Sequence, residues 1–399
     1  MSSTIHPPLH GVTVLELGLP EAGQYAGRLL ADLGARVITV EPLTGIDTRA
    51  LPPFVHDVSG RQRSVAHEYL NSGKESVAIN LKDGLLMSLL RGFEGKADVL
   101  VVGGDYKALL PADLRIATVS ASLYGLAGGR ADAPSSPLTR FMAGGSGSLM
   151  PTARPAAPGA LAGECFSGVG IATTVLAVLL ARMRTAGSPI PMADHCEQAH
   201  LVNLEKMFIG RISKDKAVVT RESHRYPFGG AVRCKDGFVS MLINERHQWK
   251  GFSEAIGRPD WAYDPRFATG SARFAVKDEI EAALVPWCAS RTRAEVVEAM
   301  RSRQVPIGSV NEVGELARIP TLRARRFVRD VETPYGEAVA LGLPYGADPL
   351  WQAGRDERRP FAPLLGEHTA QVLREAGFAQ AELSTFESMN LTRSEHAVA

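Results

Sequence analysis

The sequence predicts an α/β protein that combines a Rossmann-like large domain, built on a parallel sheet, with a smaller α+β domain. Three observations predict it. Strand and helix patterns alternate through the first third of the 399 residues, the strands are apolar almost throughout, and the pattern changes from about Tyr226. Strands of a parallel sheet are covered by helices on both faces, so they are continuous apolar runs.

The first third supplies the elements of the predicted sheet. Apolar, β-rich runs predict its strands, and apolar residues that recur every three or four positions predict its helices. In chain order these elements are a strand over Val12–Gly18, a helix over Glu21–Ala35, a strand over Arg36–Glu41, a helix over Leu85–Phe93, and strands over Asp98–Val102 and Ile116–Ser122.

The middle of the chain begins with a segment of loop composition. Gly125–Pro158 is rich in Gly, Ala, Ser and Pro, and loops of this length in compact domains are usually functional or disordered. Helices are predicted after it over Ser167–Met183 and His195–Ile209. The apolar run Val169–Leu180 is shorter than the roughly 20 residues that span a bilayer, which predicts a core helix.

The smaller domain is predicted over residues 225–329, and residues 1–224 and 330–399 together form the large one. Within the smaller domain, Val232–Asn244 predicts a hairpin that turns at Lys235–Gly237. Helices are predicted beyond this hairpin over His247–Ile256, Asp278–Trp287 and Thr292–Arg303, across the charged run Arg323–Asp330, and within Pro363–Phe378.

Charge and cysteine content exclude several function classes. Lys+Arg 44 against Asp+Glu 43 gives a net charge of +1, so no overall field attracts nucleic acid or an anionic membrane. The four cysteines are scattered without a C-x-x-C pair, which predicts free thiols in a reducing compartment. The first residues show no export signal. We therefore expect a cytoplasmic protein without nucleic-acid or membrane partners.

One acidic residue, Glu164, is a candidate for chemistry because it stands among small residues in the stretch ALAGECFSGVG. It can be a helix-start acid that interacts with the helix dipole, worth about 0.3–1 kcal/mol. It can also be a nucleophile, since a carboxylate attacks an acyl thioester to form a mixed anhydride and release a thiolate. Nearby N–H groups would then stabilise the oxyanion. The residues alone leave both interpretations open.

Two other motifs do not complete a known site. Gly18–Gly23, GLPEAG, follows the first predicted strand but lacks the middle glycine of the dinucleotide-binding fingerprint, so an NAD-dependent dehydrogenase is not favoured. His195 and His200 in ADHCEQAH stand five residues apart, whereas metal ligands on one helix face stand four apart. No metal site is predicted.

Several longer motifs resemble one family. VTVLELGLPEAGQYAGRLLADLGARVITVEPLTG, NSGKESVAINLK, VSASLYG and APLLGEHTAQVLREAG together resemble the class III CoA-transferases, the family of formyl-CoA transferase, carnitine CoA-transferase and α-methylacyl-CoA racemase. The similarity runs from about Leu9 to Gly377. The resemblance implies a large domain made from both chain ends, a small inserted domain, and two chains interlocked as rings. It implies acyl-CoA and a carboxylic acid as substrates, and no tightly bound cofactor.

The resemblance also implies site residues. Glu164 stands where the family has its nucleophilic Asp, in GECFSG in place of G-D-x-x-x-G. The positions that correspond to the family's CoA contacts are Glu21, Ala22, Ile79, Asn80, Lys82, Gly103, Gly104, Ser122 and Tyr124.

Two departures from the family pattern bear on activity. Glutamate at position 164 adds a methylene to the nucleophile, which moves the carboxylate by about 1 Å, and such a shift can cost roughly a hundredfold in rate. VGGDYK, Val102–Lys107, replaces the family's E-N-F/Y-R-P-G segment. Two interpretations follow: a working CoA-transferase, as a homodimer, or a catalytically silent CoA-binding or scaffold subunit paired with an active paralogue.

Overall fold

The fold is taken from a computed structural model, which describes residues 6–131, 133–134, 136–145, 159, 161–185, 190–202, 231–333, 335–342 and 361–395. The chain forms two compact units. Met1–Val219 and Asp330–Ala399 make up the first, and Thr220–Arg329 makes up the second.

A seven-stranded sheet is the centre of the first unit. Its strands are β1 (Thr13–Leu17), β2 (Arg36–Glu41), β3 (Glu75–Ile79), β4 (Val99–Gly103), β5 (Ala117–Ser122), β6 (Ala193–Cys196) and, far along the chain, β12 (Thr392–Arg393). The order across the sheet is β12-β3-β2-β1-β4-β5-β6, and all neighbouring pairs are parallel except β12 with β3. The predicted α/β class with a large parallel sheet is therefore confirmed.

The strand order has a functional consequence. From β1 the chain builds the sheet in one direction through β2 and β3, then returns to the other side of β1 with β4. The point where the direction reverses lies between β1 and β4. In open parallel sheets ligands bind in the crevice at the carboxyl ends of the strands on either side of such a reversal.

Helices cover both faces of this sheet, as the connections between parallel strands require. The helices of the first unit are α1 (Glu21–Asp32), α2 (Val65–Asn71), α3 (Leu85–Gly92), α4 (Pro137–Ala143), α5 (Ala162–Arg184), α6 (Glu197–Val202), α13 (Thr369–Ala376) and α14 (Gln380–Ser388).

Alternate residues of each strand enter two separate cores. On one face Leu15 and Leu17 pack with residues of α3, α13 and α14, and on the other face Val14 packs with residues of α1 and α5. Because successive side chains of a strand point to opposite faces, both faces must be apolar for the sheet to be covered twice. This is the physical origin of the continuous apolar runs in the sequence.

Helix α5 is longer than the sequence analysis expected. It covers 23 residues, Ala162–Arg184, and it is the one described helix that is long and apolar enough, by length and composition alone, to cross a membrane. The expectation that its apolar run is too short was therefore wrong. Its buried residues, among them Ile171 and Val175, belong to the core shared with α1. In this fold α5 packs as a core helix.

The second unit is built around a three-stranded sheet. Its strands are β7 (Ala231–Cys234), β8 (Gly237–Met241) and β9 (Ile307–Val310), in the order β7-β8-β9 and antiparallel throughout. The predicted hairpin with its turn at Lys235–Gly237 is confirmed. The helices of this unit are α7 (Arg246–Ala255), α8 (Gly270–Ala275), α9 (Lys277–Ala289), α10 (Arg293–Arg301), α11 (Val313–Leu316) and α12 (Pro320–Ala324). Buried aromatic rings, Trp249, Phe252, Trp261 and Phe267, centre its core.

Three sequence expectations are corrected. The helix expected from His195 starts at Glu197, because residues 193–196 form β6 and pair with β5; residues 203–209 lie outside the described part. The loop expected over Gly125–Pro158 contains α4, whose first turn is closed by a capping box at Ser136. The charged run Arg323–Asp330 is not one helix: α12 ends at Ala324, and a strand, β10 (Val328–Thr333), pairs with β11 (Gly336–Leu341).

Candidate active site

The carboxyl edge of the large sheet brings together most of the residues singled out in the sequence. Glu21 follows β1, Asn80 and Lys82 follow β3, and Gly104 follows β4. These positions come from segments far apart in sequence. They share an edge because the carboxyl ends of parallel strands all lie on one side of a sheet.

Glu164 lies in the first turn of α5, on the same unit. The helix starts after Leu161, whose φ of +61° is in the left-handed region and whose side chain supplies no cap hydrogen bond. The Glu164 side chain is 8% exposed. A carboxylate at this position is stabilised by the positive end of the helix dipole, and the uncapped first turn offers N–H groups to a second anion.

A single guanidinium, that of Arg140 on α4, contacts Glu164 and two further carboxylates. Nη2 of Arg140 donates to Oε2 of Glu21 at 3.3 Å and to Oε1 of Glu164 at 3.5 Å. Its Nε lies 3.9 Å from Oε2 of Glu197, the first residue of α6. Arg140 and Glu197 are almost fully buried, with side chains 6% and 2% exposed. The site is therefore a buried cluster of one cation and three carboxyl groups.

The close packing of α1 on α5 places Glu21 beside Glu164. Both are first-turn residues of their helices, and the two helices approach at Gly168. A Cβ at Gly168 would lie 2.6 Å from the carbonyl oxygen of Ala22 and 2.9 Å from Cδ1 of Tyr25. Only a glycine permits this approach, so Gly168 helps to set the distance between the two acidic first turns.

We expect Gly168→Ala to reduce both stability and activity. The added methyl group overlaps backbone of α1, and overpacking of this kind costs about 1–3 kcal/mol of the free energy of unfolding. Gly163→Ala on the same helix is the control, because its methyl would meet only Cδ2 of Phe141, at 3.5 Å. Urea denaturation of both variants checks this. Equal stability of the Gly168→Ala variant and the wild type would contradict it.

The neighbouring thiol, Cys165, is not an alternative nucleophile at neutral pH. Burial, and then the charge of Glu164, raise the pKa of Cys165 to about 11. A thiol is nucleophilic as its thiolate, so this side chain stays in its unreactive form. Of the two adjacent groups, the carboxylate is the one equipped to attack a carbonyl carbon.

The residues after β3 provide an exposed cation. Lys82 is exposed, and its backbone N–H donates to Oδ1 of Asn80 at 3.1 Å, which fixes the turn. Asn80 also bonds Asp83 through its side-chain amide. The side chain of Ile79 is fully buried in the core, and so is that of Ala22 after β1. Any contact of these two residues with a ligand would come from their backbone.

The ends of β4 and β5 approach the same crevice. A Cβ at Gly103 would lie 2.0 Å from the carbonyl oxygen of Gly18, so the chain after β1 passes close to the end of β4 and requires a glycine there. A Cβ at Gly104 would lie 3.6 Å from Cβ of Ser122. The Ser122 hydroxyl accepts a bond from the N–H of Gly125 at 3.1 Å, and Tyr124 in the same turn is half-buried.

Sequence reasoning missed two residues of this site, Arg140 and Glu197. Arg140 lay in the segment expected to be a loop, and Glu197 lay in a motif considered for its histidines. A buried basic residue has no periodic signal when its helix is seven residues long, as α4 is. His195 and His200 instead face each other, with ring centroids 5.0 Å apart. Within the described ranges no group of three or more His, Cys, Asp or Glu side chains is placed to hold a metal ion.

Comparisons with known proteins cover nearly the whole chain. A family model described as CoA-transferase family III matches residues 9–369. The succinate–glutarate CoA-transferase of Agrobacterium fabrum is 30% identical over 404 residues, which is 96% of this chain and 97% of that protein. The acetyl-CoA:oxalate CoA-transferase of Acetobacter aceti is 28% identical, over 94% of this chain and 97% of that protein.

Solved structures show the same fold. The crystal structure of a CAIB/BAIF family protein from Brucella suis matches with a TM-score of 0.77 and 25% sequence identity. The match covers 93% of this chain and 100% of that one.

Proposed function

The chain belongs to CoA-transferase family III, and we propose that it moves CoA from an acyl-CoA donor to a carboxylic acid through the carboxylate of Glu164. The position of Glu164 carries this proposal. It is a buried carboxylate in the first turn of α5, next to the guanidinium of Arg140. The resemblance assigns it to the place of the family's nucleophilic Asp. Both neighbours stabilise its negative charge, as a nucleophile requires.

The first half of the reaction loads CoA onto the enzyme. A carboxylate oxygen of Glu164 attacks the thioester carbonyl of the donor, the C–S bond breaks, and CoA leaves as its thiolate. The thiolate then attacks the Glu164 carbonyl carbon of the resulting anhydride. The C–O bond to that carbon breaks, the donor acid leaves as a carboxylate, and Glu164 carries CoA as a thioester.

The second half repeats these steps with the acceptor. Its carboxylate attacks the Glu164 thioester, forms a second anhydride and expels the thiolate. The thiolate attacks the acyl carbon of the acceptor, which leaves as its CoA thioester and restores the Glu164 carboxylate. No proton is gained or lost over the cycle. The enzyme therefore needs charge stabilisation at each oxyanion more than it needs a general acid.

We propose the carboxyl edge of the sheet as the CoA site, with Lys82 bound to a phosphate of CoA. Its exposed ammonium group suits that partner. The start of α1 and the carboxyl ends of β4 and β5 supply the backbone of Glu21, Gly103 and Ser122 along the crevice. The names of the relatives specify oxalate, succinate and glutarate, so small dicarboxylic acids are the first acceptors to test.

Covalent labelling of Glu164 tests the proposal. The protein is incubated with acetyl-CoA, formyl-CoA and succinyl-CoA in turn, trapped with hydroxylamine or reduced with borohydride, and digested for mass spectrometry. We expect a modified Glu164 in the wild type and none in Glu164→Gln. Cys165→Ser is the matched control, and it should keep the label.

An unmodified Glu164 with every donor would overturn the transferase mechanism. If CoA nevertheless bound, the chain would be the catalytically silent subunit of a mixed assembly, and an active paralogue would have to supply the nucleophile. Two copies of one chain, in the interlocked arrangement that the resemblance implies, remain our proposal for the assembly.

A further inference from the structure

The guanidinium of Arg140 holds Glu164 loosely. Its Nη2 is shared between Glu21 and Glu164, at 3.3 and 3.5 Å. Charge-assisted N–H···O bonds are usually about 2.7–2.9 Å long. Contacts this long are weak, so the guanidinium can exchange one carboxylate partner for another with little loss of interaction free energy.

The same guanidinium has a buried donor without an acceptor. Nε of Arg140 makes no hydrogen bond in the described part of the chain, and neither does Oε1 of Glu197. The Nε–Nη2 edge of an arginine is a fork whose two N–H groups match the two oxygens of one carboxylate. In Arg140, the Nε donor of this fork has no hydrogen-bond acceptor in the described part of the chain, and the Nη2 donor is shared between Glu21 and Glu164.

The proposed reaction removes one of the two partners of Nη2, while Glu21 remains the other. When Glu164 becomes an anhydride or a thioester it loses its negative charge, and with it the reason to remain paired with Arg140. At the thioester stage a free carboxylate is present, first the departing donor acid and then the acceptor. One anion disappears from the cluster as another enters it.

We propose that Arg140 binds the carboxylate of the exchanging acid through its Nε–Nη2 edge, and that it does so while Glu164 carries CoA as a thioester. This inference rests on the proposed function. Arg140 then serves as a counter-ion that alternates between the nucleophile and the acid that replaces it. Glu21 keeps the guanidinium in place during the exchange.

Glu197 adds a pH dependence to this exchange. Burial, followed by the charges of Glu164 and Glu21, raises the pKa of Glu197 to about 7, and Arg140 opposes that rise. A neutral Glu197 leaves Nε of Arg140 to the acid, whereas an ionised Glu197 competes with the acid for it. The charge of Glu164 is one cause of the raised pKa and is absent at the thioester stage, so the pKa of Glu197 is lower there. The KM for the acid therefore rises with pH as Glu197 ionises.

Burial moves the pKa of three groups near Glu197 away from that of Glu197. One of them is His200, also on α6, whose pKa is lowered by burial. The pKa of His195, on β6, is lowered to about 4 by burial, and that of Cys165, on α5, is raised to about 11. Asp194 on β6 accepts a bond from the N–H of Leu126, and Cys196 donates its thiol to the carbonyl of Leu123. The α4 residue that faces Glu197 is the permanently charged Arg140.

Steady-state kinetics of the Arg140→Lys and Arg140→Gln variants test the inference. They are measured with the acyl-CoA donor and the dicarboxylic acid that the wild type converts fastest. We expect the KM for the acid to rise about tenfold in Arg140→Lys, which loses the fork, and about a hundredfold in Arg140→Gln. The KM for the donor should change little. Glu197→Gln should remove the rise of the acid KM with pH. Leu138→Ala, an exposed position of α4, is the control.

The outcomes separate this inference from the proposed function. If wild-type Glu164 is never labelled, both fail. If Glu164 is labelled but the acid KM of both Arg140 variants stays within about twofold of wild type, the Arg140 inference alone fails. Equal rises in the KM for the acid and the KM for the donor would make Arg140 a structural residue, and would overturn it too. A KM for the acid that returns toward the wild-type value when guanidinium ion is added to the Arg140→Gln variant would support the Arg140 inference.

Discussion

Replacing Glu164 by Gln is expected to lower kcat by roughly a thousandfold or more, because the amide cannot attack a thioester. The substitution keeps the shape of the side chain and one oxygen that Arg140 can contact. Folding should therefore be retained, and a circular dichroism spectrum checks that it is. The rate of CoA transfer between two acids, followed by chromatography of the CoA thioesters, measures the effect. Activity within tenfold of wild type would exclude Glu164 as the nucleophile.

Glu164→Asp is the more informative companion. It introduces the Asp that the resemblance implies for this position, but withdraws the carboxylate by one methylene from Arg140, whose Nη2 is already 3.5 Å away. We expect it to stay active and to be slower than wild type by about ten- to a hundredfold, because the surrounding cluster is built for the longer side chain. A variant as fast as wild type, or faster, would show that the surroundings still suit an Asp.

The sequence predicted those features that rest on regular patterns. The strands over Arg36–Glu41 and near Val99–Gly103 are buried on both faces, so their residue composition reveals them. The short strand Ala193–Cys196 carries Asp and His, and it becomes a strand only through its pairing with β5. No local pattern distinguishes it from the helix that follows.

The site was predictable to the same limited extent. Glu164 stood out because an isolated acid among small residues is conspicuous, and the resemblance located it independently. Arg140 and Glu197 come to it from two short helices, and their approach depends on how α4 and α6 pack near the start of α5. A charge that is buried by tertiary packing leaves no trace in composition or spacing. Residues such as Arg140 and Glu197 can therefore be assigned to the site only from the three-dimensional structure.

A second large effect is expected from Lys74, which is fully buried beneath α1. Its ammonium donates to Oε1 and Oε2 of Glu16, at 3.0 and 2.9 Å, to the carbonyl oxygen of Gln24 and to Oδ1 of Asn71. Lys74→Met removes the cation and leaves the Glu16 carboxylate in the core, where the hydroxyl of Thr39 is its remaining side-chain donor among the residues that the structure describes. An uncompensated buried charge of this kind costs about 3–5 kcal/mol of the free energy of unfolding.

Two further variants identify the cause of that loss. Glu16→Gln in the Lys74→Met background removes the stranded charge, so it should recover a large part of the lost stability. Arg301→Met breaks an exposed pair with Glu298, and it should leave the urea midpoint unchanged because solvent already screens that pair. Failure of the double variant to recover any stability would mean that the stranded charge of Glu16 is not the cause of the loss. The loss would then come from the carbonyl oxygen of Gln24 and Oδ1 of Asn71, since both variants leave these two acceptors without the ammonium donor.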